Sequence, residues 1–165
     1  MATPTLKGNP VKLQGSLIKV GDTAPGFTAV KQDLSEFSLE DFAGKKKILN
    51  IFLSLDTGTC ANSVRMFNQK AAQMENTVVL CLSLDLPYAH QRFCAAEGIE
   101  DVVTGSLFRS RGFAEDYGIL IADSPLKGLT ARTVIILDET NQVQYVELVQ
   151  EISTEPDYSA ALSAL

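Results

Sequence analysis

Apolar residues along this 165-residue chain fall into two alternating patterns. Short dense runs, Ile48 to Leu53, Thr77 to Leu84 and Thr133 to Asp138, are too brief for helices and suit strands buried on both faces. Between the first two, Val64, Phe67, Ala71 and Met74 recur at three- and four-residue intervals, with Asn62, Arg65, Gln69 and Gln73 interleaved, predicting an amphipathic helix from Ala61 onward. Asp85 and Pro87 open a second helix that runs through Glu97 and stops at Gly98, with Phe93 facing inward beside Cys94. Val102 to Phe108 predicts a short strand, and Arg111 to Tyr117 a short helix ended by Gly118. Gln142 to Val149 is the partner strand of Thr133 to Asp138 across a turn at Glu139 to Asn141. A last helix starts near Pro156 with Tyr158, Ala161 and Leu162 on one face.

The N-terminal part is more broken. Thr5 to Leu13 alternates around Gly8-Asn9 and predicts a β-hairpin within residues 1–15. Gly21 to Phe27 is rich in turn residues, and Thr28 to Lys31 is extended. Ser38 caps one helical turn that ends at Gly44, and Lys45-Lys46-Lys47 is a solvated connection into the first dense strand.

Strands alternating with helices, then a terminal hairpin and helix, predict an α/β domain with a mixed sheet in three layers, one domain over 1–165. A chain of this size buries about two thirds of its unfolded surface and needs no staple. The formal charge of −6 disfavours binding to nucleic acid or to anionic membrane. No run approaches the roughly 18 apolar residues of a membrane span, and Met1 to Lys7 lacks the apolar core of a secretion signal, so the expected location is the cytoplasm. Three cysteines, at 60, 81 and 94, form no CxxC pair and no secreted disulfide framework.

The chemistry concentrates where the run ending at Leu53 meets Ser54-Leu55-Asp56-Thr57-Gly58-Thr59-Cys60. Asp56, Thr57 and Thr59 are all capable N-caps, and with Thr57 in that role Cys60 takes the third helical position. A thiol there meets unpaired backbone N–H groups and the positive end of the helix dipole, which favour the thiolate. The bland alternative is a small buried hydrophobe. Cys81, between Leu80 and Leu82, suits core packing, since an apolar setting raises a thiol's pKa and blocks access. On burial alone Cys94 is a core residue of its helix, Arg132 a surface arginine and His90 an exposed helix residue.

Four segments change those readings. Ser54 to Arg65, Arg92-Phe93-Cys94-Ala95-Ala96-Glu97-Gly98, Ala122-Asp123-Ser124-Pro125-Leu126-Lys127-Gly128-Leu129 and Glu155-Pro156-Asp157-Tyr158 together resemble the bacterial thiol peroxidases, a subfamily of the peroxiredoxins, over nearly the whole chain. The resemblance implies a thioredoxin-like fold with an N-terminal hairpin, a homodimer, no cofactor and no metal, and reduction of hydroperoxides with thioredoxin as reductant. By that match Cys60 is the peroxidatic cysteine, which becomes a sulfenic acid. Thr57 offers its hydroxyl to thiolate and peroxide, and Arg132 stabilises the thiolate and the departing oxygen. Cys94 matches the resolving cysteine, which closes an intramolecular disulfide with Cys60. Cysteines at two helix starts do not meet the ~7 Å Cα separation of a disulfide without backbone movement, so local unwinding around both is expected. The closed loop restricts the unfolded chain by about 3.7 kcal/mol before strain is subtracted.

One position departs from the family motif Pro-x-x-x-Thr-x-x-Cys, which puts Leu53 where the proline belongs. Leucine supplies an apolar wall but restores an N–H and some backbone freedom. The expectation is a retained fold and a retained, lowered activity; the alternative is a non-catalytic or impaired redox sensor or binding module. Leu53, Leu55 and Ile119 to Ile121 suggest a site open to alkyl hydroperoxides as well as hydrogen peroxide. Two rival chemistries have weaker support: a metal site on His90 and Cys94, four apart on one helix face, and a cysteine hydrolase using Cys60 and His90, for which no oxyanion loop or third member is visible.

Overall fold

The alternation of dense apolar runs with amphipathic stretches folds as α/β. The computed structural model describes residues 3–165, so the first two residues of the 1–15 segment lie outside it. The chain forms β1 (Thr5–Leu6), β2 (Asn9–Pro10), β3 (Leu13–Gln14), β4 (Thr28–Val30), β5 (Glu36–Ser38), a 3-10 turn (Leu39–Phe42), β6 (Lys46–Ile51) and α1 (Gly58–Ala71). It continues through β7 (Thr77–Ser83), α2 (Pro87–Glu97), β8 (Val103–Ser106), α3 (Phe113–Asp116), β9 (Leu120–Ile121), β10 (Thr133–Leu137), β11 (Val143–Leu148) and α4 (Tyr158–Ser163).

Seven strands make the main sheet in the order β11-β10-β6-β7-β8-β4-β5. The β6, β7 and β8 strands are parallel, and the strands outside them pair antiparallel. Register sets the two faces: Asn50, Cys81 and Thr104 align on one, and Ile51, Leu82 and Gly105 on the other. Because α1 and α2 connect successive parallel strands, they cover the same face. Arg65 of α1 reaches Glu97 and the Phe93 ring on α2, while Phe67 packs edge-on against Tyr158 of α4 at 5.2 Å. The helix carrying Cys60 is thus wedged between its two neighbours over the centre of the sheet. No helix among the described residues is long and apolar enough to cross a membrane.

Two local expectations are corrected. The N-terminal hairpin turns on Lys7-Gly8, one residue earlier than Gly8-Asn9, in a type I′ turn that needs positive φ at both central positions, which these residues supply at +52° and +82°. Its strand β1 bonds to the far end of the chain, with Thr5 N donating to Gln150 O at 2.7 Å and Ile152 N to Thr5 O at 2.8 Å. The lysine run is also only partly solvated: Lys45 is exposed, but Lys47 is a fully buried member of β6 whose Nζ has no hydrogen-bond partner. Strand alternation beside Leu137 and Val78 turns it inward, and burial lowers its pKa.

Gly118 shows how tightly the N-terminal strap is laid down. It ends α3 at φ +72°, and a Cβ there would sit 2.2 Å from the Ser16 carbonyl carbon and the Leu17 nitrogen. Both the conformation and the backbone contact demand glycine. Gly118→Ala is therefore expected to cost about 2 kcal/mol or more in a denaturant titration, with no change in the slope of the transition.

Candidate active site

The site is built where the sheet hands over to α1. Backbone pairing with β7 ends as Phe52 N donates to Leu82 O, and the chain then turns through Ser54 and Leu55. Thr57 is the N-cap of α1, with extended backbone (φ −103°, ψ 141°), so Gly58, Thr59 and Cys60 occupy the first three helical positions. The Thr57 side chain does not cap the helix. Its Oγ1 donates to Ser54 O at 3.0 Å, and the first amides of α1 are left without a side-chain acceptor. Cys60 has no exposed surface. Its carbonyl accepts a 2.7 Å bond from Ser63 Oγ, a back-bond that competes with the helix ladder in its first turn.

Thr57 and Thr59 form one side of a cavity of about 190 Å³, whose other walls are Leu6, Leu53, Leu126, Arg132, Ile152 and Ser153. Arg132 is 1% exposed, so the surface reading of this arginine is wrong. Its Nε donates to Ile152 O at 3.0 Å, while one terminal nitrogen, NH1, has no partner, and no carboxylate pairs with it among the described residues. A buried guanidinium with an open N–H beside a helix N-terminus is a site for an anion. The apolar wall differs from the expected one in part. Leu53 belongs to it, but Leu55 and Ile119 to Ile121 sit elsewhere, and Leu6, Leu126 and Ile152 take their place.

The loop that carries Ile152 and Ser153 is pinned from several sides. Thr59 Oγ1 donates to Ser153 O, and the Glu151 carboxylate accepts from Gly8 N, Thr5 Oγ1 and both Ser153 N and Oγ. These donors hold the Glu151 carboxyl down to about 2. The N-terminal hairpin, with Leu6 at its tip strand, is thereby fastened over the cavity.

All three cysteines are free and buried. Cys94 sits on α2 at 5% exposure, and burial pushes its thiol up, with the Gln32 side chain pulling the other way. Cys81 is held by burial up to about 12, with Asn50 Nδ2 at 3.7 Å from its sulfur. His90 is fully buried, contrary to the exposed position expected for it. The reason is a polar cluster at the end of β7 that accepts it: His90 Nε2 lies 3.0 Å from Ser83 Oγ, and Ser83 Oγ donates to Asp85 Oδ2 at 2.6 Å. Among the described residues no group of three or more His, Cys, Asp or Glu side chains is placed to hold a metal ion. The walls contributed by Leu6, Ile152 and Ser153 come from segments far apart in sequence and carry no local signal, whereas Leu126 lies within the Ala122 to Leu129 segment singled out above.

A family model described as Redoxin matches residues 19–162. Across its whole length the chain is 56% identical to a thiol peroxidase of Corynebacterium glutamicum, covering 99% of that protein. It is 54% identical to a thiol peroxidase of Leptospira interrogans, over 99% of this chain and 97% of that one. The chain belongs to the thiol peroxidases of the redoxin family. Among solved structures, a peroxiredoxin-like protein from Aquifex aeolicus superposes with a TM-score of 0.93 at 42% identity, covering 98% of this chain and 94% of that one. A thiol peroxidase from Chromobacterium violaceum gives 0.89 at 23% identity over 97% and 93%, which shows the shared thioredoxin-like fold.

Within this thiol peroxidase frame the buried histidine makes stability depend on pH. Burial pulls the His90 pKa down from 6.5 to about 4, with Asp85 opposing, so the unfolded chain binds a proton that the folded one refuses. Stability is full above pH 6.5 and is lost as pH falls toward 4, by roughly 3 kcal/mol from this residue. His90→Gln should flatten that part of the profile between pH 7 and pH 4, measured by urea unfolding at each pH.

Proposed function

We propose that this chain is a thiol-dependent peroxidase that reduces hydrogen peroxide and alkyl hydroperoxides, acting as one domain over residues 1–165. The observation that carries the reading is the cavity lined by buried Arg132 and by Thr57 and Thr59 of the turn that leads to Cys60, with Cys60 itself buried behind the lining residues. The Cys60 thiolate attacks the terminal peroxide oxygen, the O–O bond breaks, and the alcohol or water leaves with a proton. Thr57 Oγ1, whose proton goes to Ser54 O in the resting structure, accepts from the peroxide, and turns its proton to the thiolate only on releasing that carbonyl. The Arg132 guanidinium stabilises the thiolate at the start and the departing oxygen as charge develops on it. The apolar walls of Leu6, Leu53, Leu126 and Ile152 suit an alkyl group on the peroxide.

Cys60 is left as a sulfenic acid, and the Cys94 thiol condenses with it, releasing water and forming an intramolecular disulfide. Both cysteines are buried on separate helices, so that step needs the first turn of α1 and part of α2 to unwind. The Ser63 back-bond weakens the ladder at the turn that has to open. Thioredoxin then reduces the disulfide; no cofactor enters the scheme. The protein works in the cytoplasm as a homodimer. A second reading, an impaired redox sensor or binding module, draws on one feature: Leu53 stands on the cavity wall where the family motif has proline.

Two sets of variants test this with thioredoxin, thioredoxin reductase and NADPH. Cys60→Ser should lose turnover by more than about a thousandfold, and Cys94→Ser should consume one equivalent of peroxide and stall. Undiminished turnover in Cys60→Ser sinks the mechanism, and a parent that oxidises once without turning over favours the sensor. Arg132→Met should lower the rate of the first oxidation by about 100-fold or more while leaving the fold intact by circular dichroism. A rate within twofold of the parent removes Arg132 from the reaction.

A further inference from the structure

Outside the cavity, one half-buried polar junction links the two cysteine-bearing helices. The Asp85 carboxylate, at the end of β7, accepts from Ser54 Oγ at 2.8 Å and Leu55 N at 2.9 Å, so it grips the turn that leads into α1. It also accepts from Ser83 Oγ at 2.6 Å, and its backbone carbonyl takes a 2.6 Å bond from Ser106 Oγ on β8. A carboxylate is an acceptor only, so the Ser83 proton lies toward Asp85, and His90 must donate its Nε2–H to Ser83 Oγ. His90 is on the first turn of α2, one helical turn before Cys94. The entries to α1 and α2 are therefore fastened to one carboxylate, the first directly and the second through Ser83 and His90.

The proposed reaction gives that fastening a task. In the folded form Cys60 is buried on the first turn of α1, three residues after Thr57, which lines the Arg132 cavity; in the proposed unwound form it reaches Cys94. We propose that Asp85 is a positioning residue whose grip on Ser54 and Leu55 sets the balance between these two forms, and so decides the fate of the Cys60 sulfenic acid. If the turn opens, the Cys94 thiol displaces the hydroxyl as water and a disulfide forms. If it stays closed, a second hydroperoxide transfers its oxygen to the sulfur, leaving as alcohol or water, and Cys60 becomes a sulfinic acid that thioredoxin does not restore. Bonds from neutral donors to an ionised acceptor are about twice as strong as neutral ones, which is why a single side chain can hold two loops. Asp85 touches neither peroxide nor sulfur and acts only through the turn. This inference rests on the peroxidase reading for its consequence, but its structural part does not.

Asp85→Asn keeps the size and removes the charge, turning one face of the side chain into a donor opposite Leu55 N–H or the Ser54 hydroxyl. Amide hydrogen exchange of the reduced protein should show residues 54–62 opening roughly tenfold faster, with the sheet strands β6, β7 and β10 unchanged. At high peroxide, mass spectrometry should show the ratio of disulfide to sulfinic acid at Cys60 rising by a similar factor, while the first oxidation slows. Ser54→Ala, which removes one of the two turn bonds, should move both readouts the same way by a smaller factor and guards against a variant that does not fold. Unchanged exchange in residues 54–62, or faster exchange spread evenly over the sheet, overturns the role of Asp85. A faster-opening turn with an unchanged product ratio overturns it as well. A parent inert to peroxide would instead defeat the peroxidase reading and would leave the exchange arm to judge the grip on its own.

Discussion

A fully buried guanidinium that meets one carbonyl and no carboxylate among the described residues is a costly feature for a protein of this size, and the rest of the site is arranged around it. Removing an ion from water costs several kcal/mol even after relaxation, and a partner carboxylate is the usual compensation. Arg132 has Ile152 O on its Nε and nothing on NH1. The three ion pairs of the described chain, Arg65–Glu97, Arg92–Asp56 and Arg109–Glu36, all lie on the surface, where they contribute little. An anion that arrives in the cavity would give this guanidinium the partner it lacks. In the proposed reaction the oxyanion leaving a peroxide is an anion of that kind.

That arrangement depends on segments from both ends of the chain. The carbonyl that Arg132 meets belongs to Ile152, on a loop held by Glu151, and Glu151 is itself held by the N-terminal hairpin through Thr5 and Gly8. The hairpin lines the cavity with Leu6 and holds, through Glu151, the loop whose carbonyl meets the arginine. Thr59, on α1, bonds the same loop through Ser153 O, so the helix, the loop and the hairpin form one connected rim.

The parts of this that were legible in the sequence are those with local causes. The strand from Ile48, the cap at Thr57 and the third-position Cys60 follow from a run of apolar residues meeting a polar turn, and α2 from Pro87 to a left-handed Gly98 follows from its end signals. Lys47, His90 and Arg132 were misjudged from composition for a common reason. Each is a polar side chain whose burial is decided by a partner or a neighbour distant in sequence: alternation beside β10 for Lys47, the end of β7 for His90, the 152 carbonyl for Arg132. The role proposed for Arg132 rests instead on the likeness of the four segments to the thiol peroxidases. The hairpin was foreseen but its turn was displaced by one residue, because lysine in a left-handed conformation is a worse guess than glycine and yet is what a two-residue turn there requires.

Leu53 is the position where local chemistry and family pattern disagree, and the structure lets the two effects be weighed. The apolar wall that proline gives is kept, since Leu53 is only 6% exposed and lines the cavity with Leu6, Leu126 and Ile152. What changes is the backbone. Leucine brings an N–H that makes no hydrogen bond among the described residues, and it frees a φ angle that proline holds near −65°. The freedom at φ is countered one residue later, where Ser54 and Leu55 are gripped by Asp85. A turn that has lost the stiffness of proline thus leans more heavily on that carboxylate, which ties the departure at position 53 to the proposed balance between the folded and unwound forms of the Cys60 turn.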